Sequence, residues 1–401
     1  MGDLKRDIEK INKKYANSEK ILSKELLTVW ADKINSSRAN MAGSEHDQIV
    51  NLENPDVPGV NTNFENLVGM YSSSYVKAED DFEVLDKIVK YPWSKESVYT
   101  LVVRNKRTKK YNAIVKKFGE ELTETYGFKY NTEKMDSYEV GDKIKKGDIL
   151  YRSTSYDKYM NYRLGKEAKT IYTNDPKSIE DGIILSDIFA HNSNHIEYDR
   201  VYISQNDNDI FLNWYGNKNT YKAFPDIGEN IKNSTLAVLR RIDYSRIFYD
   251  LKDENMRKQL SSDNPFYLPF SNDKIIDINI YCNKDSIDEI PDTPYNEQIL
   301  KYLRAQEEYY KKIVEVLEPI VEKKSYEDNL ANLYSRAIKI IDPEYKWSDQ
   351  NKKVFGNIKI EFLVEKVVDC CVGSKWCGRF GDKGYNMLLK NSFNCWDKLL
   401  A

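Results

Sequence analysis

At 401 residues, with 61 Lys and Arg against 64 Asp and Glu, the chain carries a formal charge of −3 and has room for about two to four domains. So even a balance supplies no whole-chain attraction to nucleic acid or to an acidic membrane, so any such contact has to come from local basic surfaces. Mean hydropathy of −0.69, no apolar run near the ~20 residues of a bilayer span, and an N-terminus, Met1-Gly2-Asp3-Leu4-Lys5-Arg6, without signal or transit character point to a soluble cytoplasmic chain.

Residues 1–35 read as an N-terminal helical segment, because Leu4, Ile8, Ile11, Ile21, Leu22, Leu26 and Trp30 recur mostly at three- and four-residue steps. A turn-rich stretch, 36–75, follows and holds the run Ser37-Arg38-Ala39-Asn40-Met41-Ala42-Gly43-Ser44-Glu45-His46-Asp47-Gln48. Strands and hairpins are predicted from about 82 to 117, with a polar turn at Asn105–Thr108. Gly141-Asp-Lys-Ile-Lys-Lys-Gly-Asp-Ile-Leu150 is echoed by Gly228-Glu-Asn-Ile-Lys-Asn-Ser-Thr-Leu-Ala237. Each copy reads as a tight hairpin with its apolar positions in similar phase, as in a barrel-sandwich hybrid.

Between the two copies lies Ile179-Glu180-Asp181-Gly182-Ile183-Ile184-Leu185-Ser186, an acidic pair leading into an apolar run. Paired carboxylates suit Mg²⁺, a hard ion that takes oxygen ligands. Asp207-Asn-Asp209 sits in a polar run and reads as a solvated turn. From 294 to 341 a helical hairpin is predicted, its seam traced by Ile299, Tyr302, Gln306, Tyr309, Ile313, Val316 and Ile320 and interrupted at Pro319. Ile358, Ile360, Phe362 and Val364 then alternate as a strand.

That strand leads to Lys375-Trp-Cys-Gly-Arg-Phe-Gly-Asp-Lys383-Gly384, two lysines bracketing a loop punctuated by Gly378 and Gly381. Glycines let backbone approach a bulky anion without a side-chain clash. A lysine ammonium then supplies a point charge for phosphate oxygens. The spacing is not that of a Walker loop. Cys370, Cys371 and Cys377 lack C-x-x-C spacing, and the His191/His195 run lacks a zincin glutamate, so no zinc is expected.

The lysine loop resembles the G-R-H-G-N-K-G signature of the second-largest (β) subunit of multisubunit RNA polymerases, which also places a lysine eight residues ahead. His becomes Phe380 and Asn becomes Asp382, while Gly378, Arg379, Gly381, Lys383 and Gly384 stand. Three more matches follow the family's order. The Arg38 run is similar to N-R-A-L-M-G-A-N-M-Q-R-Q, with Arg38, Met41 and Gln48 in common and Ser44, Glu45 and Asp47 departing. The Gly141 segment is similar to V-G-D-x-V-x-x-G-D-x-L, and the Glu180 segment to F-E-D-[AS]-I-[LV]-[LIV]-S. The resemblance runs from about 36 to 384 and covers only the middle-to-late part of a full β subunit, like the split β-like subunits of giant bacteriophages.

It implies an α+β, β-rich, multi-domain chain, with barrel-sandwich hybrid-like barrels and peripheral helices. The implied division is a helical segment (1–35), a β-like core (36–238), a flap-like region (239–350), a core strand with the lysine loop (351–384) and an atypical tail (385–401). It implies a polymerase subunit active only in a complex. Arg38, Lys375 and Lys383 would be catalytic, and Arg38, Gln48, Lys375, Arg379 and Lys383 would contact nucleotide and RNA. Glu180 and Asp181 would lie near a second Mg²⁺. The catalytic Mg²⁺ belongs to a β′-like partner, since no N-A-D-F-D-G-D loop occurs here. Other expected partners are further β-like fragments, template DNA, RNA and nucleoside triphosphates, in a host cytoplasm or a virion, with no membrane. Two other readings compete. One is a non-catalytic β-like module that docks on a host polymerase. The other is a two-barrel polymerase of the RNA-silencing type, which requires the triple-aspartate motif in the same chain.

Overall fold

The computed structural model describes residues 33–47, 49–61, 75–123, 126–163, 165–171, 182–206, 208–268, 273–282, 293–345, 358–378 and 383–390, plus Val29, Glu65, Asn66, Gly69, Pro176, Ile290 and Trp347. In chain order these form helix α1 (Ser36–Asp47), then strands β1 (Tyr75–Lys77), β2 (Phe82–Val89), β3 (Tyr99–Asn105), β4 (Tyr111–Val115), β5 (Gly119–Thr123) and β6 (Tyr126–Asn131). Helix α2 (Glu133–Asp136), β7 (Lys143–Ile144), β8 (Ile149–Ser153), β9 (Gly182–Ser186), α3 (Asp187–His191), β10 (His195–Gln205), β11 (Asp209–Phe211) and β12 (Thr235–Arg241) follow. The remainder is α4 (Ile247–Asp250), α5 (Asp253–Met256), β13 (Asn264–Tyr267), β14 (Lys274–Cys282), α6 (Glu297–Glu322), α7 (Asp328–Ile341), β15 (Ile358–Val368), β16 (Lys375–Cys377) and β17 (Lys383–Lys390).

The fold is mixed α+β and rich in strand, arranged in sheets of three or four strands. Two compact units divide the chain discontinuously. The first is Met1–Tyr75, Arg152–His195 and Asp369–Ala401, and the second is Val76–Tyr151 with Ile196–Val368. Among the described residues no helix is long and apolar enough to cross a membrane.

In the second unit the two sequence echoes are structural equivalents, but neither is a hairpin. The arms of each copy pair with different strands: β7 joins β2 in one sheet while β8 joins β1 and β6 in another. Each copy is therefore a corner at which the chain leaves one sheet for the next. In the first, Gly141 N–H donates to the Val84 carbonyl at 2.8 Å, and Val84 N–H donates back to Asp142 at 2.9 Å. In the second, Gly228 N–H donates to Ile275 at 2.8 Å, and Ile275 N–H returns to Glu229 at 3.2 Å. Both clamped strands carry a bulge at the clamp, Val84/Asp86 in β2 and Ile275/Asp277 in β14. A bulge bends its strand and sharpens the local twist, which lets a corner wrap over it.

The apolar residue of each corner, Ile144 or Ile231, is buried beneath it. The turn that follows needs a left-handed residue, Gly147 at φ +86° in one copy and Ser234 at φ +55° in the other. Gly141 and Gly228 open their corners at φ +94° and +89°.

Helices α6 and α7 pack in the same unit, on strands β2, β4 and β14. The expected seam is the buried face: Ile299, Tyr302, Gln306, Tyr309 and Ile313 are buried, and Val316 and Ile320 pack against the cluster that holds Tyr309 and Ile313. Gln306 belongs there because its amide satisfies the Ile280 backbone of β14 twice, at 2.9 and 2.8 Å. Pro319 does not interrupt α6, which continues to Glu322. So near the C-terminus it removes a single hydrogen bond, and little helix remains to kink.

Buried charge ties the sheets together. Lys90, 2% exposed, places its ammonium among Asp277 Oδ1 (2.8 Å), Asn279 Oδ1 (2.7 Å) and the Ile278 carbonyl (3.0 Å). Burial lowers its pKa, and the adjacent Asp277 opposes that. Burial also works against the Glu361 carboxylate, but hydrogen bonds from Tyr281 and Arg200 hold its pKa below the usual range. At the end of β12, Arg240 grips both Asp263 oxygens at 2.8 and 2.7 Å. Its remaining donors reach the carbonyls of Asn255 and Lys258 at 3.0 and 2.9 Å.

Arg240→Ala strands the buried Asp263 carboxylate and should cost about 3–5 kcal/mol in urea unfolding. Arg240→Lys should recover little of it, because an ammonium cannot make the bidentate grip. Gly141→Ala meets no neighbouring atom, so its cost of about 1–2 kcal/mol comes from backbone conformation alone. An unchanged urea midpoint for Gly141→Ala would show that the corner accepts a different backbone.

Candidate functional site

The first unit gathers three of the four singled-out segments. Its sheet has the order β16-β17-β9. Strands β16 and β17 form an antiparallel pair in the register Lys375↔Tyr385, Trp376↔Gly384 and Cys377↔Lys383. The two lysines are thus strand residues on neighbouring strands, where a loop was expected. Only 378–382 bridges the strands, and of it only Gly378 is described. Strand β17 extends to Lys390, so residues 385–390 belong to this sheet.

Strand β9 lies parallel to β17, with Tyr385 opposite Gly182 and Lys390 opposite Ser186. Parallel register puts the starts of both strands at one end of the sheet. β9 begins one residue after Asp181, and β17 begins at Lys383. Gly182 and Lys383 therefore lie toward the same end of the sheet; Glu180 and Asp181 lie outside the described residues. Gln48 and Arg379 lie outside them too.

Helix α1 is the element that sequence patterning missed. It covers Ser36–Asp47, where turns were expected, so Arg38 stands on a helix. The Asn35 side chain accepts the Ser37 N–H at 2.9 Å, doing the work of a capping residue at the start. Ser44 turns its hydroxyl back on the Asn40 carbonyl at 3.0 Å, which keeps a weak helix former inside the helix. The helix lies against β16, with Ala42 buried and Arg38 exposed. Its outer side has a depression of about 280 Å³ lined by Asn40, Met41, Ser44 and Glu45. Lys375, the first residue of β16, is exposed as well.

Around this sheet the local chemistry is mostly structural. Ser186 caps α3 by accepting the Phe189 N–H at 3.2 Å, and the Phe189 ring sits 5.4 Å from Trp376. His191 Nδ1 meets Asp369 Oδ2 at 3.2 Å. Gly373, at φ +94°, turns the chain into β16 while Cys371 N–H donates to Ser374 Oγ at 3.0 Å. Burial pushes the Cys370 thiol above its ordinary pKa, so it is not an activated nucleophile. Among the described residues no group of three or more His, Cys, Asp and Glu side chains comes together in metal-binding geometry.

The arrangement brings an arginine on a helix and a lysine on the adjoining strand to exposed positions, beside a second strand that starts with a lysine. Exposed cations on regular elements suit an anionic, phosphate-bearing ligand. Cys377, directly opposite Lys383, was not singled out for this sheet. The signal was present, because 375/385 and 377/383 are symmetric about one centre in the glycine-bracketed turn. No family model matches the chain, and no curated protein matches it.

Proposed function

We propose that the chain is a β-like subunit fragment of a multisubunit, DNA-dependent RNA polymerase, contributing the phosphate contacts of the nucleotide-addition site. One observation supports this reading: β9, which begins just after the acidic pair in sequence, runs parallel in one sheet to β17, which begins at Lys383. That same sheet holds Lys375, and α1 with Arg38 lies against it. Segments far apart in sequence meet in one unit.

In this account the finer architecture is that of barrel-sandwich hybrid-like barrels, and the two corners are their closing elements. Phosphoryl transfer depends on positioning and on neutralising charge as it develops on phosphate oxygens. Lys375 and Lys383 hold phosphates of the RNA 3′ end and the incoming nucleotide, and Arg38 forks onto the triphosphate. Gln48 and Arg379 add contacts from the ends of the same segments. A β′-like partner would chiefly hold the Mg²⁺ that supplies Lewis-acid chemistry at the 3′ hydroxyl, and Glu180 and Asp181 would be candidates for a second, nucleotide-borne ion. Further β-like fragments, template DNA and RNA complete the complex.

The purified chain alone, given template, nucleotides and Mg²⁺, should therefore make no RNA. Synthesis by the isolated chain would contradict the assignment of the catalytic metal to a partner. In the assembled enzyme, Lys375→Ala and Lys383→Ala should each slow single-nucleotide extension by about 10²–10³. Complex integrity, checked by size exclusion, should hold, and Lys383→Arg should restore activity only in part. Full-rate extension by both alanine variants in an intact complex would favour a non-catalytic module that docks on a polymerase.

A further inference from the structure

We propose that Asp273, Lys366 and Asp199 form a proton-linked latch in the second unit. In it, Lys366 bonds Asp199 alone while Asp273 carries a proton, and turns toward Asp273 when that proton leaves.

Asp273 lies just ahead of β14 at the base of the second corner, where its carbonyl accepts the Ile231 N–H at 2.8 Å. Its side chain is fully buried, and neither carboxylate oxygen has a hydrogen-bond partner. Leaving an ionised carboxylate so placed costs far more than leaving a neutral acid. The equivalent position of the first corner holds Phe82, buried against an apolar cluster, so an acid here is not a requirement of the fold.

The charged surroundings are few. The antiparallel register that pairs Lys274 with Glu365 sets Lys366 of β15 beside Asp273, and the Lys366 ammonium is bonded to Asp199 of β10 at 2.5 Å. Lys274, the next residue along the chain, is held by Glu96 at 2.6 Å. The corner contributes Glu229, which is held by Lys222 at 2.5 Å. Among the described residues Lys366 is thus the cation whose present partner, Asp199, competes with Asp273.

Burial raises the Asp273 carboxyl to about 6, Lys366 pulls it down, and Asp199 adds to the rise. The sign of the linkage follows. A carboxyl whose pKa is higher in the folded chain than its ordinary 3.8 binds a proton more tightly when folded. Its contribution to stability is present below about pH 4 and is lost as pH rises toward about 6.

The test is urea unfolding of the full chain between pH 4 and 7, comparing wild type with Asp273→Asn and Asp199→Asn. The ratio of wild-type to Asp273→Asn unfolding constants should climb by about 10–100-fold from pH 4 to pH 6 and then level off. Asp199→Asn frees Lys366 for Asp273, so that climb should shrink and move to lower pH. A ratio that stays flat across the window overturns the proton uptake. A climb unchanged by Asp199→Asn overturns the latch and leaves Asp273 an isolated buried acid.

Discussion

The second unit depends on one repeated constraint: a glycine-opened corner locked to a bulged strand by two backbone hydrogen bonds. Without the lock, a chain leaving one small sheet has no fixed direction for entering the next. The lock uses only main-chain groups plus one buried isoleucine, Ile144 or Ile231. The flanking residues can therefore diverge, from Lys145-Lys146-Gly147 in one copy to Lys232-Asn233-Ser234 in the other. The two copies occur in opposite order relative to their strands. The first corner follows the β2–β3 pair, and the second precedes β14–β15. The two clamping hydrogen bonds and a left-handed residue at the turn are nevertheless reproduced, the second copy adding a further left-handed residue at Asn233.

The first unit works by a different device. A parallel pair cannot be closed by a tight turn, because its second strand has to be reached by a long crossover. Here the chain between β9 and β17 includes the larger segment of the second unit, Ile196–Val368. That detour lets β9, starting at Gly182, run beside β17, starting at Lys383. In the proposed polymerase reading this is how a phosphate-handling surface can be built from segments that no local motif connects.

Parts of this were visible in the residues themselves. The period of two in Ile358–Val364 and the three-and-four spacing of Ile299–Ile320 report burial directly, so β15 and α6 were evident. The corner echo was evident too, but its topology was not. A Gly-x-x-Ile-Lys pattern specifies dihedral angles and a buried residue, and it says nothing about which strand each arm pairs with. Helix α1 was obscured because Ser36, Ser37, Asn40, Gly43 and Ser44 are weak helix formers, and the helix is supported by local side-chain bonds and by β16. The lysines read as loop residues because their glycines dominate the pattern. The pairing that makes them strand residues is non-local, and its parallel half involves residues about two hundred positions away. Asp273 gave no signal at all, since Ser271-Asn272-Asp273-Lys274 looks like any polar turn.

The central claim is that Arg38, Lys375 and Lys383 face one phosphate-bearing ligand, and affinity labelling tests it most directly. The assembled enzyme would be treated with a nucleotide carrying an aldehyde on its terminal phosphate. Reduction of the resulting Schiff base and peptide mapping would then locate the adduct. The account predicts labelling at Lys375 or Lys383, suppressed by excess unmodified nucleoside triphosphate. Labelling of an active complex confined to other lysines of this chain, or to none of them, would contradict it.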